Sequence, residues 1–271
     1  MSLPRLVATD LDGTLVHSDG SVTARTRAVL TALEERGVVV VFVTGRPLRW
    51  AEDVFEHVGE HGLAIVSNGA LVWDVHRHEV RDLHAMTPET GLEVARLIRG
   101  AVPGSTFAVE TLAGIGLESG FLERHRVPDG SRRGALEELF DTPAVKLLAR
   151  HEELDAQAFW DRAAEVVGDL AVITWSSSAT LLEISAPGVT KASTLALVAA
   201  DLGIGADEVV AFGDMPNDLP MLAWSGTSYA VANAHPTVLA AAGRVAPRND
   251  DDGVAVALAE LFDLDLSRLA G

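Results

Sequence analysis

The sequence predicts an α/β protein with a doubly wound, Rossmann-like core, whose parallel sheet is interrupted by an inserted α+β domain. Short β-branched runs alternate with helical patterns at both ends of the chain, as in a parallel sheet. In the middle of the chain, strands follow one another across turns, as in an antiparallel sheet. The chain has 271 residues, of which 48% are hydrophobic, so it is long enough for two modest domains.

The composition excludes several classes of protein. Asp and Glu number 39 against 21 Lys and Arg, and the net charge of −18 argues against nucleic-acid and anionic-membrane partners. No cysteine is present, which excludes disulfides and thiolate metal sites and indicates a reducing compartment. We find no leader before the first strand and no apolar run near the ~20 residues of a membrane span. We therefore expect a cytoplasmic protein.

The first part of the chain predicts three strand-and-helix units. Thr23 is a typical helix N-cap, and Gly37 is a typical C-terminal residue for the same helix. Residues 38–43 form a continuous apolar, mainly β-branched run, as in a strand buried on both faces. The predicted strands cover residues 6–9, 38–43 and 63–66, and the predicted helices cover residues 23–37 and 47–58.

The pattern changes near Ala70, where hairpins begin to mix with helices. This mixture predicts an α+β domain with an antiparallel sheet. We assign residues 85–186 to an inserted cap domain and residues 1–84 and 187–271 to a discontinuous core domain. The strands predicted in this middle part cover residues 70–74, 79–84, 106–110, 115–118, 144–149, 170–175 and 181–184, and the helices cover residues 87–99, 135–140 and 155–167.

The α/β rhythm resumes after the Ala186-Pro187-Gly188 hinge. An apolar stripe at helical spacing predicts a helix that Gly203 ends. Strands are predicted at residues 209–212 and 229–231, and a short helix at residues 217–224. Asp250, Asp251 and Asp252 are expected to cap the final helix.

Polar residues follow the strands of the predicted core. Asp10 and Asp12 come directly after the first strand, where two like charges repel unless a cation or strong donors are present. The carboxyl ends of parallel strands lie along one edge of a sheet, and carboxylates gathered there suit Mg²⁺. Hydroxyl, backbone N–H and lysine groups can hold phosphoryl oxygens. The residues expected at this edge are Asp10, Asp12, Thr44, Gly45, Lys191, Asp214, Asn217 and Asp218.

Four segments occur in order along the whole chain: Asp10-Leu11-Asp12-Gly13-Thr14-Leu15, Val43-Thr44-Gly45-Arg46, Lys191, and the run from Gly213 to Leu222. This set resembles the haloacid dehalogenase-like phosphatase superfamily, in particular its Cof-type sugar-phosphatase branch with a large α+β cap. Ser67-Asn68-Gly69 and residues 249–253 are similar to that branch as well. The chain departs from the pattern at Ala192 and Ala232, where glycine is common, and neither position carries a chemical group.

The resemblance implies a role for each matching residue. Asp10 would attack phosphorus and form an aspartyl-phosphate, and Asp12 would act as general acid and then as general base. Mg²⁺ would be held by the Asp10 side chain, the Asp12 backbone carbonyl and Asp214, with Asp218 orienting these ligands or Lys191. The phosphoryl group would be held by Thr44, Gly45, Lys191 and Asn217, and Arg46 would reach the rest of the substrate.

The expected function is a Mg²⁺-dependent phosphatase of small phosphorylated metabolites, in particular sugar phosphates, with the cap closing over the cleft to select the leaving group. Two alternatives stay open: a phosphosugar mutase on the same core, and a phospho-accepting signalling module. Thr44 and Asn217 are also compatible with plain helix caps. The sequence gives neither the physiological substrate, nor the cap residues that select it, nor the oligomeric state.

Overall fold

The structure is a computed structural model that describes residues 3–58, 62–124, 127–174 and 180–269. It divides into two compact units, which are described separately. The core unit comprises Met1–Asp82 and Lys191–Gly271, and the insert unit comprises Leu83–Thr190. Trp175, Ser176, Ser177 and Ser178, which belong to a predicted strand and the turn after it, lie outside the described residues.

The described strands in chain order are β1 (Leu6–Thr9), β2 (Val39–Val43), β3 (Leu63–Val66), β4 (Leu71–Asp74), β5 (Glu79–Leu83), β6 (Thr106–Thr111), β7 (Gly114–Glu118), β8 (Arg132–Gly134), β9 (Lys146–Arg150), β10 (Val172–Thr174), β11 (Leu181–Ser185), β12 (Val209–Gly213), β13 (Thr227–Val231) and β14 (Arg244–Ala246). The described helices are α1 (Ala24–Glu35), α2 (Leu48–Val58), α3 (Pro88–Ala101), α4 (Leu136–Leu139), α5 (Ala156–Val167), α6 (Lys191–Asp201), α7 (Leu219–Trp224), α8 (Pro236–Ala241), α9 (Gly253–Phe262) and α10 (Leu266–Leu269).

The core unit contains an eight-stranded sheet in the order β14-β13-β12-β1-β2-β3-β4-β5. The pairs from β14 to β3 are parallel, and β4 runs antiparallel to β3. The central strands are buried along their whole length because their continuous apolar runs leave no face for water. The predicted doubly wound α/β core is therefore confirmed.

The strand order determines where the polar residues lie. β1 pairs with β12 on one side and with β2 on the other, and Thr9 is in register with both Phe212 and Phe42. The three strands run in the same direction and end at the same level. Asp10, Thr44 and Asp214 directly follow these strands, so the sheet brings them to one edge.

The insert unit contains a six-stranded sheet in the order β10-β11-β9-β6-β7-β8, in which only the β7–β8 pair is parallel. Helices α3 and α5 contact each other, and they contribute Val94, Ile98 and Phe159 to a cluster that also contains Phe107 and Leu147 of the sheet. This is the α+β arrangement that the mixed pattern predicts. No helix in the described part of the chain is both long and apolar enough to cross a membrane.

Candidate active site

The loop after β1 is wound tightly around one carbonyl group. The Asp10 N–H donates to the carbonyl of Phe212 at 3.0 Å, which extends the β1–β12 pairing by one residue. The N–H groups of residues 14–16 then all donate to the carbonyl of Leu11, at 3.2, 3.0 and 2.8 Å. Gly13 takes a left-handed conformation with φ of 73°, which glycine adopts without steric cost. The loop therefore has one defined path that leaves Asp10 buried at the strand end.

Lys191 joins two carboxylates that come from different strands. Its Nζ lies 2.6 Å from Oδ1 of Asp10 and 2.7 Å from Oδ1 of Asp218, and all three side chains are buried. Lys191 is the first residue of α6, directly after the insert unit in the sequence. One ammonium group thus neutralises a charge on each side of the site.

Asp218 is fully engaged by the protein. Its Oδ1 accepts from Lys191, while its Oδ2 accepts the backbone N–H groups of Asp214 and Met215, both at 3.0 Å. Gly213 is packed so closely against Asp218 that a Cβ there would lie 2.6 Å from the Asp218 Cβ. Asp218 therefore fixes the loop that carries Asp214 and also orients Lys191.

Asp214 is held by the loop that follows β1. The hydroxyl of Thr14 donates to Asp214 Oδ1 at 2.9 Å. A Cβ on Gly13 would lie 2.7 Å from Asp214 Oδ2, so only glycine fits this position without a shift. The carbonyl of Asp214 also accepts the N–H of His235, and the Asn233 side chain donates to the carbonyl of Gly13 at 2.7 Å. The turn after β13 therefore forms hydrogen bonds with the loop after β1 and with the loop after β12.

Three buried carboxylates lie close together in this site. One carboxylate oxygen from each of Asp10, Asp214 and Asp218 lies within 4.8 Å of the other two. Burial raises the pKa of Asp214 to about 6, with the charge of Asp218 adding to the effect. Burial also raises the pKa of Asp10 well above its usual value, and it outweighs the opposing charge of Lys191. Burial alone would lower the pKa of Lys191, but the Asp10 and Asp218 carboxylates raise it above its usual value.

The numbers of negative and positive groups in this cluster indicate whether a metal ion would fit. Three carboxylates share one ammonium group, and burial disfavours the ionised form of two of them. A divalent cation reverses that effect, and hard oxygen donors are the ligands that Mg²⁺ prefers. Asp10 and Asp214 keep one carboxylate oxygen each that accepts no hydrogen bond from a described group, whereas both oxygens of Asp218 accept hydrogen bonds. The residues present therefore fit a divalent metal ion.

The Asp12 side chain is not one of the three carboxylates of this cluster. It is 55% exposed and forms a bidentate ion pair with Arg46, from Nε to Oδ2 at 2.8 Å and from Nη2 to Oδ1. The Arg46 guanidinium contacts Asp12 in the structure, and its contact with the substrate stays a prediction. The pairing with Asp12 raises the pKa of Arg46.

Two of the residues that are predicted to hold the phosphoryl group lie after β2 and before α7, respectively. Thr44 is buried, and its hydroxyl accepts the N–H of Arg46 at 3.0 Å. The Thr44 N–H donates to the carbonyl of Ile65, which extends the β2–β3 pairing. Asn217 lies in the loop before α7 and contacts Asn68, from Nδ2 to Oδ1 at 3.4 Å. Thr44 and Asn217 thus lie beside the residues that follow β3.

The structure therefore joins most of the predicted residues through hydrogen bonds and ion pairs. Asp10, Lys191, Asp214 and Asp218 form one cluster, and Asp12 and Arg46 form a pair beside it. The sequence assigned no role to Thr14, Asn68 or Asn233, although all three contact predicted site residues or their loops. Thr14 and Asn68 lie inside the segments that carry the family resemblance, and this position is the signal that could have indicated them.

Comparisons with known proteins agree with this fold and site. A family model described as haloacid dehalogenase-like hydrolase matches residues 7–258. The HMP-PP phosphatase of Serratia proteamaculans is 32% identical over 251 residues, which cover 86% of this chain and 85% of that protein. The 5-amino-6-(5-phospho-D-ribitylamino)uracil phosphatase YcsE of Bacillus subtilis is 27% identical over 270 residues and 94% of each chain.

A solved structure from Streptococcus mutans shares the fold. It has a TM-score of 0.83 and 24% identity, and the likeness covers 97% of this chain and 100% of that one. The parallel core and the site at its strand ends, together with these likenesses, define a phosphoric monoester hydrolase. The chain belongs to the haloacid dehalogenase-like hydrolase family, and its resemblance to the Cof-type branch is confirmed.

Proposed function

We propose that this protein is a Mg²⁺-dependent phosphatase that hydrolyses small phosphorylated metabolites, in particular sugar phosphates, through an aspartyl-phosphate on Asp10. The observation that carries the proposal is the contact of Lys191 Nζ with Asp10 Oδ1 at 2.6 Å, beside the carboxylate of Asp214. A buried carboxylate held by an ammonium group at a strand end is oriented for attack on a phosphate ester.

The reaction proceeds in two steps on this arrangement. First, a carboxylate oxygen of Asp10 bonds to phosphorus while the ester P–O bond breaks, and Asp12 gives its proton to the leaving oxygen. Second, the Asp12 carboxylate takes a proton from a water molecule as the water oxygen bonds to phosphorus. This step breaks the bond to Asp10 and releases inorganic phosphate. Asp12 is partly exposed, so its carboxyl group can exchange protons with water between the two steps, whereas Asp10 is buried.

The phosphoryl group needs donors around its three equatorial oxygens. Lys191 supplies a buried positive charge, Thr44 a hydroxyl, Gly45 a backbone N–H and Asn217 an amide N–H. Thr44 and Gly45 follow β2, next to the strand that carries Asp10. We assign these four residues to the phosphoryl oxygens.

We assign the Mg²⁺ ligands to the side chains of Asp10 and Asp214 and to the backbone carbonyl of Asp12. When bound, Mg²⁺ supplies positive charge that keeps Asp10 ionised and offsets the charge of the phosphoryl oxygens. Asp218 is left out because both of its oxygens are already occupied. Its part is to hold Lys191 and the Asp214 loop in place.

The substrate class is supported by the relatives. The YcsE protein is named for a phosphorylated ribityl compound, which is a sugar-alcohol phosphate. The formal charge of −18 also makes a large polyanionic substrate unsuitable and leaves small phosphate esters as the better fit.

Release of inorganic phosphate from a generic aryl phosphate, with Mg²⁺ and with EDTA, tests the proposal. We expect Mg²⁺-dependent release by the wild-type protein and none above background by Asp10→Asn. Equal turnover by Asp10→Asn would refute the assigned nucleophile, and equal turnover in EDTA would refute the metal dependence. A panel of sugar phosphates then tests the substrate class, since preference for non-sugar esters throughout would contradict it.

A further inference from the structure

A turn with unusual backbone geometry follows β3. Ser67, Asn68 and Gly69 have φ angles of 52°, 57° and 109°, and all three residues are buried. Non-glycine residues with positive φ are uncommon, and each costs roughly 1–3 kcal/mol when the surrounding structure must hold it there. Two such residues in succession indicate that contacts with the surrounding structure hold the backbone of this turn in its conformation.

The backbone of the turn holds the loop that follows β2. The Ser67 N–H donates to the carbonyl of Arg46 at 2.9 Å, and the Asn68 N–H donates to the carbonyl of Thr44 at 3.1 Å. A trans peptide points its C=O and its N–H in opposite directions. The bond to the Thr44 carbonyl therefore sets the direction of the Gly45 N–H, which is a proposed phosphoryl donor.

The same turn contacts the other two elements of the proposed phosphoryl site. The Thr194 hydroxyl, one helical turn after Lys191, donates to the carbonyl of Gly69 at 2.8 Å. The Asn68 side chain meets that of Asn217, with Asn217 Nδ2 lying 3.4 Å from Asn68 Oδ1. Asn217 Oδ1 is buried and has no hydrogen-bond partner among the described residues. This branch of the Asn217 carboxamide is therefore left to form a hydrogen bond with a ligand.

We propose that Asn68 is a positioning residue for phosphoryl binding, because its carboxamide sets the orientation of the Asn217 carboxamide; this inference rests on the proposed function. Asn68 offers an oxygen on one branch and an amino group on the other. In the structure Asn217 Nδ2 lies on the Asn68 oxygen, and turning both carboxamides over keeps this contact but makes the Asn68 amino group donate to Asn217 Oδ1. The Asn217 amino group then faces the other side. That orientation suits a phosphoryl oxygen, whereas an oxygen there would repel it.

Two substitutions of Asn68 separate orientation from backbone geometry. Asn68→Gly keeps the left-handed conformation and removes the side chain, while Asn68→Asp keeps the shape but can only accept hydrogen bonds. We expect Asn68→Asp to lower kcat/KM and weaken competitive inhibition by inorganic phosphate by about tenfold or more. Asn68→Gly has a smaller effect, about threefold, because it leaves Asn217 free to take either orientation. The proposal would be overturned if Asn68→Gly lowered kcat/KM and phosphate inhibition at least as much as Asn68→Asp does.

A double-mutant cycle with Asn217→Ala measures whether Asn68 acts through Asn217. A merely structural role of Asn68 would give the same effect in both backgrounds. In the Asn217→Ala background, Asn68→Gly should change the inhibition constant of phosphate by less than about twofold, because the partner of Asn68 is gone. Equal fold-changes in both backgrounds would overturn the proposal. Asp263→Gly is the matched control, since Asp263 has a φ of 53° at the end of α9, and it should leave both constants unchanged.

The same measurements distinguish failure of the inference from failure of the proposed function. If the wild-type protein releases phosphate and Asn217→Ala weakens phosphate inhibition, the proposed site stands, and additive effects of Asn68→Gly overturn only the role of Asn68. If phosphate does not inhibit the wild-type protein, or Asn217→Ala has no effect, the phosphoryl site itself is wrong and the inference fails with it.

Discussion

Arg46 holds the carboxylate of Asp12 with two hydrogen bonds, from Nε to Oδ2 at 2.8 Å and from Nη2 to Oδ1 at 2.5 Å. A further bond, from Nη1 to the carbonyl of Trp50 at 3.1 Å, ties the guanidinium to α2. A bidentate arginine–carboxylate pair fixes the geometry of both partners. Arg46 therefore determines where the Asp12 carboxylate lies.

Removal of this pair should slow the reaction more than it weakens substrate binding. We expect Arg46→Ala to lower kcat by about tenfold or more, with a smaller change in KM, because Asp12 loses both donors that orient it. Arg46→Lys should recover only part of the loss, since lysine keeps the charge but not the planar fork. Steady-state kinetics with an aryl phosphate measure both constants.

The control for this prediction is Arg77→Ala. Arg77 forms an exposed pair with Asp74 in the same unit, at 3.3 Å, and it has no contact with the site loops among the described residues. The Arg77→Ala substitution should leave kcat unchanged. If the Arg46→Ala variant had the same kcat as the wild-type protein, the Arg46–Asp12 pair would have no part in the reaction.

Gly13 and Gly20 offer a matched test of the close packing at Asp214. Both have positive φ, 73° and 87°, but a Cβ on Gly13 would lie 2.7 Å from Asp214 Oδ2 while a Cβ on Gly20 meets nothing within 4 Å. Each alanine substitution should cost roughly 1 kcal/mol or more of stability through backbone strain. Only Gly13→Ala should also weaken Mg²⁺ activation and lower kcat/KM by more than about tenfold. Equal loss of activity in both variants would contradict the packing argument.

Lys191 should be essential for the stability of the metal-free protein. Lys191→Met leaves Asp10 and Asp218 as buried carboxylates without a cation, which should destabilise the fold by about 3–5 kcal/mol. We expect Mg²⁺ to restore part of this loss, because it supplies positive charge next to Asp10. Urea unfolding at pH 7.5, with EDTA and with Mg²⁺, measures both effects.

Lys146→Met is the comparison for Lys191. Lys146 is also buried, and it forms an ion pair with Glu183 of the insert unit at 3.0 Å. Its substitution should also destabilise the protein, but Mg²⁺ should restore nothing there. Recovery of similar size in both variants would show that Mg²⁺ acts away from Asp10.

The stabilisation by Mg²⁺ should depend on pH. Burial raises the pKa of Asp214 from 3.8 to about 6, so in the metal-free protein its contribution to stability is largest below pH 3.8 and is lost as the pH rises through about 6. Mg²⁺ binds the ionised carboxylate. We therefore expect the rise in Tm on adding Mg²⁺ to be small at pH 5 and large at pH 8.

Differential scanning calorimetry of EDTA-treated protein, with and without Mg²⁺ at each pH, measures this increment. Asp214→Asn removes the titrating group, so its increment should be small at both pH values. An increment of the same size at pH 5 and pH 8 in the wild-type protein would contradict the assignment of Asp214 to the metal.

Local capping patterns predicted helix starts well, but one assignment was wrong. Thr23 accepts the N–H of Thr26 at the start of α1, as its sequence context predicts. Asp252 precedes α9 but makes no capping hydrogen bond with its side chain. Its carboxylate instead accepts from the side chains of His17 and Thr23, at 3.0 and 2.7 Å. These partners are more than 200 residues away in the chain, so no local pattern could have indicated them.

The sequence by itself determined the α/β class, most of the strands and helices in their order, and the motifs at the strand ends. Apolar periodicity and capping residues act over a few neighbouring positions, and they can be read without knowledge of the fold. The tertiary structure alone decided that Asp218 is saturated by Lys191 and two backbone N–H groups, that Arg46 pairs with Asp12, and that Asn68 meets Asn217. Each of these contacts joins side chains from separate loops, and their partners depend on distances that only the packed sheet and helices define.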